Sequence, residues 1–278
     1  MQTGQPSRTA LGAAALRAAH QVLDGAAIFT DALAVRILGG DADAMLRDAS
    51  DVSRQRLRWF IAIRSRIAED ALASAVRRGV RQLVVLGAGL DTYAYRTPPS
   101  NDLRIFEVDH PATQAWKRER LAAAAIALPP TLRFVPVDFE RETLADSLGA
   151  AGFDPAQQTF FTWLGVVPYL SEPAVFATLG TIAGVPGGAH VVFDYVNPTA
   201  SIAGAASRAA HEALAARVAA LGETLQCYFD SAELGARLAE LGFRDIEDLG
   251  PGQIAERFFP GRVASSSGGG HVLRAATV

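Results

Sequence analysis

Residues 83–96 read LVVLGAGLDTYAYR. The apolar run Leu83–Leu86 ends in Gly87-Ala88-Gly89, and an acid, Asp91, follows closely. A short run with no polar alternation is what a strand covered on both faces requires. Two glycines at its end let the chain turn tightly and let a ligand approach the backbone. The stretch predicts a buried strand that feeds a nucleotide-binding loop.

The same grammar recurs downstream. LRIFEVD (103–109), LRFVPVD (132–138), TFFTWLG (159–165) and HVVFDY (190–195) are further strand-like runs. Helix-like segments such as Pro111–Leu128 and Glu172–Ile182 separate them. LGFRDIEDLG (241–250) reads as a sixth strand, and GGGHVLRAA (268–276) as a terminal one after a Ser-Gly loop. Strands alternating with helices imply right-handed crossovers and a parallel sheet, so the fold class is α/β. The strands end at Gly87, Asp109, Asp138, Gly165 and Asp194, and ligands of open α/β sheets sit beyond the carboxyl ends of strands.

Upstream, the pattern is helical. SRTALGAAALRAAHQVLDG carries Leu11, Leu16 and Leu23 at helical spacing. A second short helix is expected over Asp31–Leu38, stopped by Gly39-Gly40. A third is expected from about Asp51 to Arg78, with Trp59, Phe60, Ile63, Ile67 and Leu72 as its buried stripe and Gly79 as its stop. The alanine-rich segment Ala200–Leu221 is long for a crossover and reads as a helical insertion.

Composition narrows the function. Half of the 278 residues are hydrophobic, enough for a sizeable core, and the net charge of −3 argues against a nucleic-acid surface. The arginine groups at 54–58 and 77–81 are interrupted by apolar residues and read as solvated helix faces. The single cysteine, Cys227, can support neither an internal disulfide nor a zinc site; it reads as buried and inert. No metal is expected. No signal peptide or membrane-spanning run is seen, so a reducing, cytoplasmic setting is expected.

The residues also discriminate between nucleotides. Asp109, twenty residues after Gly89, is placed to accept hydrogen bonds from both ribose hydroxyls; it could alternatively cap the helix starting at Pro111. A dinucleotide loop would carry a third glycine near a pyrophosphate, and here that glycine is absent while Asp91 would repel a phosphate. A sulfonium nucleoside brings positive charge instead, which Asp91 or Asp194 would favour. The loop leans toward S-adenosylmethionine, with S-adenosylhomocysteine as product.

Four ordered blocks, LGAGLDTYAYR, FEVDHPATQAWKRERL, VPVDFERETLADSL and FFTWLGVVPYL, together resemble the leucine carboxyl methyltransferase family. They are most similar to its bacterial branch of S-adenosylmethionine-dependent and polyketide-tailoring O-methyltransferases. The resemblance implies a class I, Rossmann-like methyltransferase sheet of seven strands, mostly parallel with an antiparallel last strand. It implies one domain over 1–278, with a helical N-terminal cap over 1–79. A core over 80–278 would carry a helical lid insertion at about 197–226. By the same resemblance Gly87 and Gly89, with Ala88 and Asp91 in the same block, would line the cofactor loop, Asp109 would bind the ribose, and Asp138 with Phe139 would flank the adenine; His110, next to Asp109, is expected near the adenine too. Arg64, with Arg66 as its neighbour, would hold the cofactor carboxylate, and Arg17 would join the same pocket. Tyr169 would stand beside the substrate. Trp163 takes the cofactor-side position at which the protein-methylating branch has a glutamate, and Tyr93 replaces a common family arginine.

Methyl transfer is an in-line displacement that needs alignment and exclusion of water. A carboxylate acceptor needs no base, whereas a phenol benefits from one. His110, His190 and His211 are the nearest base candidates; His211, in the insertion, is the catalytic choice beside Tyr169, and His190 reads as structural. Tyr169 and Tyr195 would wall a flat small-molecule acceptor, while Phe161 belongs to the core. Two other readings stand at this stage. One is an NAD(P)-dependent oxidoreductase, weakened by the missing glycine and the lack of a Tyr-x-x-x-Lys relay. The other is a nucleoside-binding module without methyl transfer. Monomer and homodimer both remain open.

Overall fold

The structure is a computed structural model that describes residues 7–96, 102–138, 142–202, 204–220, 222–261 and 269–278. Its strands are β1 (Gln82–Leu86), β2 (Arg104–Asp109), β3 (Leu132–Pro136), β4 (Thr159–Trp163), β5 (Ala189–Val196), β6 (Arg244–Leu249) and β7 (Gly270–Ala276). They form one seven-stranded sheet in the order β3-β2-β1-β4-β5-β7-β6. β1 pairs in parallel with β2, β2 with β3, and β4 with β5. β7 runs antiparallel to both its neighbours, β5 and β6, with Tyr195 opposite His271. The expected antiparallel last strand is therefore present. All seven expected strands form, within a few residues of the sequence-based limits.

The chain divides into two compact units, one of Met1–Asp70 with Arg81–Phe153 and one of Ala71–Val80 with Asp154–Val278. The first contains the N-terminal helices and β1–β3. Helix α1 (Arg8–Leu23) starts at Ser7, whose hydroxyl accepts the Ala10 N–H at 3.1 Å. Its small residues Ala14, Ala15 and Ala18 are buried in one cluster with Ile37, Leu38, Leu90 and Leu121. Alanines let the helix backbone come close to the loop that holds Leu90, and each large apolar side chain buried there contributes about 1.5–3 kcal/mol.

The cap departs from expectation in several places. Residues 32–35 are turns, and a 3-10 helix, Arg36–Asp41, runs through the two glycines that were expected to stop a helix. Gly39, at φ 64°, supplies the break in direction inside that segment. An unanticipated helix, α2 (Ala42–Ala49), follows. The long helix α3 (Gln55–Arg77) starts later than expected, because Asp51 caps a separate 3-10 turn, Val52–Arg54. Ile63, Ile67 and Leu72 are buried as expected, but Trp59 and Phe60 are only half-buried. Arg58, expected on a solvated face, is buried instead. Its guanidinium donates to both oxygens of Asp24, at 2.7 and 3.0 Å, and to the carbonyl of Ala49.

The rest of the first unit holds α4 (Tyr93–Arg96), α5 (Pro111–Ala123) and α6 (Leu144–Ala150). α5 ends five residues earlier than the apolar pattern suggested. The second unit holds α7 (Glu172–Ala183), α8 (Ala205–Ala220), α9 (Ser231–Glu240) and α10 (Pro251–Phe258) with the four remaining strands. Over the segment expected as an insertion lie a 3-10 turn, Thr199–Ser201, and α8. Phe161, Phe193, Leu179, Leu234 and Leu273 form the interior of this unit.

Candidate active site

Within the first unit, three predicted residues follow the carboxyl ends of parallel strands: Gly87 after β1, Asp109 at the end of β2 and Asp138 after β3. Gly87 and Gly89 have φ of 61° and 44°, the left-handed region that favours glycine. Gly89 is doubly constrained, since a Cβ there would lie 3.1 Å from the Cβ of Ala10 on α1. The cap helix thus lies directly over the loop. Ala88 is buried and donates its N–H to the carbonyl of Val108.

Asp109 points at the loop and does not cap α5. Its Oδ2 accepts the Gly89 N–H at 2.6 Å, and its Oδ1 accepts the His110 N–H at 2.7 Å. Burial pushes its carboxyl above the usual range, and the two backbone donors, Lys117 and His110 oppose that shift. The cap of α5 is His110, whose Nδ1 accepts the Ala112 N–H at 3.2 Å. Asp91 closes a local turn ahead of the four-residue α4, its Oδ1 accepting the Tyr93 N–H at 2.8 Å. Asp138 is half-buried, and its N–H donates to Glu142 Oε2. Phe139 lies outside the described residues.

Arg17 is buried, and its guanidinium makes two hydrogen bonds within the protein. Nε donates to Asp31 Oδ2 at 2.8 Å and Nη2 donates to the carbonyl of Leu90 at 2.6 Å. Asp31 is the hub of this network. It also accepts the Thr92 hydroxyl at 2.6 Å and the Leu33 N–H at 3.0 Å, and Arg96 Nε lies 3.2 Å from its other oxygen. Burial alone would raise the Asp31 carboxyl, but Arg17, Arg96 and these donors hold it below its usual value. Arg96 makes a two-pronged contact with Glu69 of α3. Arg64 lies half-buried on α3, whereas Arg66 faces outward and pairs with Asp70. Asp31, Glu69, Thr92 and Arg96 were missed from the sequence. Thr92 and Arg96 lie inside the LGAGLDTYAYR block, which was the available signal.

Within the second unit, Tyr169 ends the 3-10 turn Val167–Tyr169 and is half-buried. Gln226 reaches this turn twice: its N–H donates to the Pro168 carbonyl at 2.7 Å and its side-chain amide to the Tyr169 carbonyl at 3.1 Å. Two residues on, Tyr228 packs edge-to-face with His211 of α8, ring centroids 5.6 Å apart. Burial lowers the His211 pKa, which keeps the imidazole neutral. The insertion and the Tyr169 turn are thereby joined through residues 226–228. Asp194 pins the turn after β4, its Oδ1 accepting the Gly165 N–H at 2.6 Å. Trp163 is buried on β4 with its ring beside Phe193.

Tyr195 is placed otherwise than expected. It is fully buried and its hydroxyl is fully engaged, with Asp248 Oδ2 at 2.5 Å, Ser231 Oγ at 2.8 Å and His271 Nδ1 at 3.2 Å. Its ring stacks on His271 at 4.8 Å. The residue faces inward because it lies within β5 opposite His271 of β7, so it tethers β5, β6 and the start of α9 together. His190 is half-buried with its ring stacked on Phe160. Cys227 is buried and burial pushes its thiol up to about 11, as suits an inert cysteine. Among the described residues there is no cluster of side chains able to hold a metal, and no helix long and apolar enough to cross a membrane.

A family model described as leucine carboxyl methyltransferase matches residues 10–183. The chain is 32% identical over 289 aligned residues to the Bacillus subtilis (strain 168) protein named "Putative S-adenosyl-L-methionine-dependent methyltransferase YktD", with 94% of each chain covered. It is 34% identical over 181 residues to a protein of the same general description from Mycolicibacterium gilvum (strain PYR-GCK), over 64% of this chain and 59% of that one. A solved structure from Thermobifida fusca YX superposes with a TM-score of 0.58 at 18% identity, covering 99% of this chain and 96% of that one. A DUF574-family structure from Streptomyces avermitilis gives a TM-score of 0.52 at 17% identity, over 87% and 94% of the two chains. The structural likenesses carry the fold, and the sequence matches carry the family. The chain belongs to the leucine carboxyl methyltransferase family and is an S-adenosylmethionine-dependent methyltransferase.

Proposed function

We propose that the enzyme methylates an oxygen of a small-molecule acceptor, a carboxylate first and a phenol second, of the kind found in polyketide-like metabolites. The observation that carries the reading is the tie between the insertion and the Tyr169 turn through Gln226 and Tyr228. It links the Tyr169 turn, through Gln226, to the segment whose Tyr228 packs on His211, and aromatic and amide groups of this kind suit a flat, enclosed acceptor.

The residues of the first unit fit the cofactor. Asp109 offers a buried carboxylate for ribose hydroxyls, Gly87 and Gly89 supply the left-handed turn of the loop, and Asp91 disfavours a phosphate-bearing ligand. S-adenosylmethionine supplies an activated methyl group on its sulfonium. In this reading Arg64 holds the cofactor carboxylate with its planar guanidinium, His110 and Asp138 flank the base, and Arg17 keeps Leu90 in place. Tyr169 orients the acceptor and the α8 insertion excludes water. A carboxylate acceptor is already ionised, so alignment suffices. For a phenol, His211, held neutral by burial, is the group able to take the proton. The reaction belongs in a reducing, cytoplasmic setting, where Cys227 stays a thiol.

The test is incubation with methyl-labelled S-adenosylmethionine and a panel of aromatic and aliphatic acids and phenols. A methyl ester cleaved by base supports the carboxylate reading, and a base-stable methyl ether the phenol reading. Transfer only to nitrogen or carbon contradicts both. Unchanged turnover and acceptor affinity in Tyr169→Phe would remove the polar role given to that hydroxyl.

A further inference from the structure

A second buried ionic group lies in the first unit, outside the residues assigned to the cofactor. Lys117 of α5 and Glu107 of β2 form an ion pair, Nζ to Oε2 at 2.7 Å, with side chains 2% and 1% exposed. The same Oε2 accepts the hydroxyl of Tyr95 at 3.0 Å. Lys117 Nζ also lies 5.3 Å from the centre of the Tyr95 ring. Tyr95 belongs to α4, the short helix that completes the loop begun at Gly87. Glu107 stands two residues before Asp109 on the same strand. One lysine therefore touches, directly or through one side chain, both the end of the cofactor loop and the strand that presents the ribose carboxylate.

A buried ion pair is weak as a source of stability, because desolvation offsets its attraction. Four residues of helix, by contrast, cannot hold themselves in place. We propose that Lys117 is a positioning residue for the cofactor, acting through Glu107 to lock Tyr95 and the 87–96 loop onto β2. A hydrogen bond to a charged acceptor is about twice as strong as a neutral one, so an ionised Glu107 holds Tyr95 better than a protonated Glu107 would. The inference rests on the assignment of this loop to the cofactor.

The groups that face Glu107 are Lys117 from α5, Tyr95 from α4 and Asp91 from the loop. Burial raises the Glu107 carboxyl and Asp91 adds to that, while Lys117 and the Tyr95 hydroxyl oppose it. Without Lys117 the largest influence opposing burial is lost, and the Glu107 carboxyl moves further up.

The experiment is calorimetric titration of S-adenosylhomocysteine into wild type, Tyr95→Phe, Lys117→Met and Lys117→Arg from about pH 6 to about pH 9, with thermal unfolding in parallel. Tyr95→Phe leaves the ion pair intact and is expected to weaken binding about tenfold, with a modest downward shift of the unfolding transition. Lys117→Met is expected to bind about tenfold more weakly at the acid end and to recover as Glu107 ionises. Its stability should move the opposite way. A carboxyl whose pKa is raised in the folded state loses stability as pH rises through that value. Lys117→Arg keeps the charge and should restore a flat binding profile. Wild-type binding by Tyr95→Phe overturns the proposal, as does affinity in Lys117→Met that is flat with pH or follows stability. Should Lys117→Met fail to fold, Tyr95→Phe and Lys117→Arg decide. Asp109→Ala run alongside separates the two levels: unchanged binding there fails the loop assignment itself, whereas unchanged binding in Tyr95→Phe alone fails only the role of Lys117.

Discussion

Arg17 and Asp31 meet in a buried hydrogen bond of 2.8 Å, and the same arginine grips the carbonyl of Leu90, in the loop after β1, at 2.6 Å. The N-terminal helices are thus part of the framework of the loop as well as a cover for it. α1 lies against Gly89, Asp31 collects Arg17, Arg96 and Thr92, and Ser7 donates its N–H to Thr113 of α5 at 3.3 Å.

Asp31→Asn tests this framework. It leaves the buried Arg17 and the half-buried Arg96 facing a neutral amide, at a cost of about 3 kcal/mol. The Asp31 carboxyl is lowered in the folded state, so its contribution is present above the ordinary carboxylate pKa and lost as pH falls through the folded value. Urea unfolding across the acid range should show a steeper loss in wild type than in the variant. Identical acid limbs would remove Asp31 as the hub.

Gly89→Ala places a methyl in left-handed backbone, 3.1 Å from Ala10. The expected cost is about 1–3 kcal/mol of stability, with S-adenosylhomocysteine affinity reduced by about tenfold or more. A fully stable variant with wild-type affinity would show that α1 does not constrain the loop.

Tyr195→Phe separates structure from substrate. The hydroxyl bonds only within the cluster of Ser231, Asp248 and His271, so its loss should lower stability by about 1–3 kcal/mol in urea titration. S-adenosylhomocysteine affinity should not change. An unaltered unfolding curve together with impaired turnover would return Tyr195 to the acceptor site.

Cys227 should resist alkylation by iodoacetamide at neutral pH, because the thiol is buried and its pKa is pushed up to about 11. Rapid labelling of the native enzyme, followed by mass spectrometry, would contradict that placement.

Much of this was legible in the sequence. The strands β1, β2, β4 and β5 were visible because buried parallel strands read as short apolar runs ending in glycine or acid. The segments 31–41 and 51–54 were misread because capping by Asp51 and the conformation of Gly39 are local choices that apolar periodicity does not report. Arg58 and Tyr195 were misplaced for a related reason. A charged or hydroxylated residue reads as exposed until its buried partners are known, and Asp24, Ser231 and His271 are distant in sequence. The place of Asp109, at the end of β2 beside the glycine loop, was legible because strand end and glycine spacing fix it. The buried supports, Asp31, Glu107 and Lys117, were not found because their role depends on contacts between elements.

Binding of S-adenosylhomocysteine to the intact protein and to Asp109→Ala, measured by calorimetry, tests the Gly87–Asp109 frame most directly. The expected result is micromolar affinity in wild type, about 8 kcal/mol, lost in the variant while its unfolding transition is kept. Equal affinity in two folded proteins would place the cofactor elsewhere.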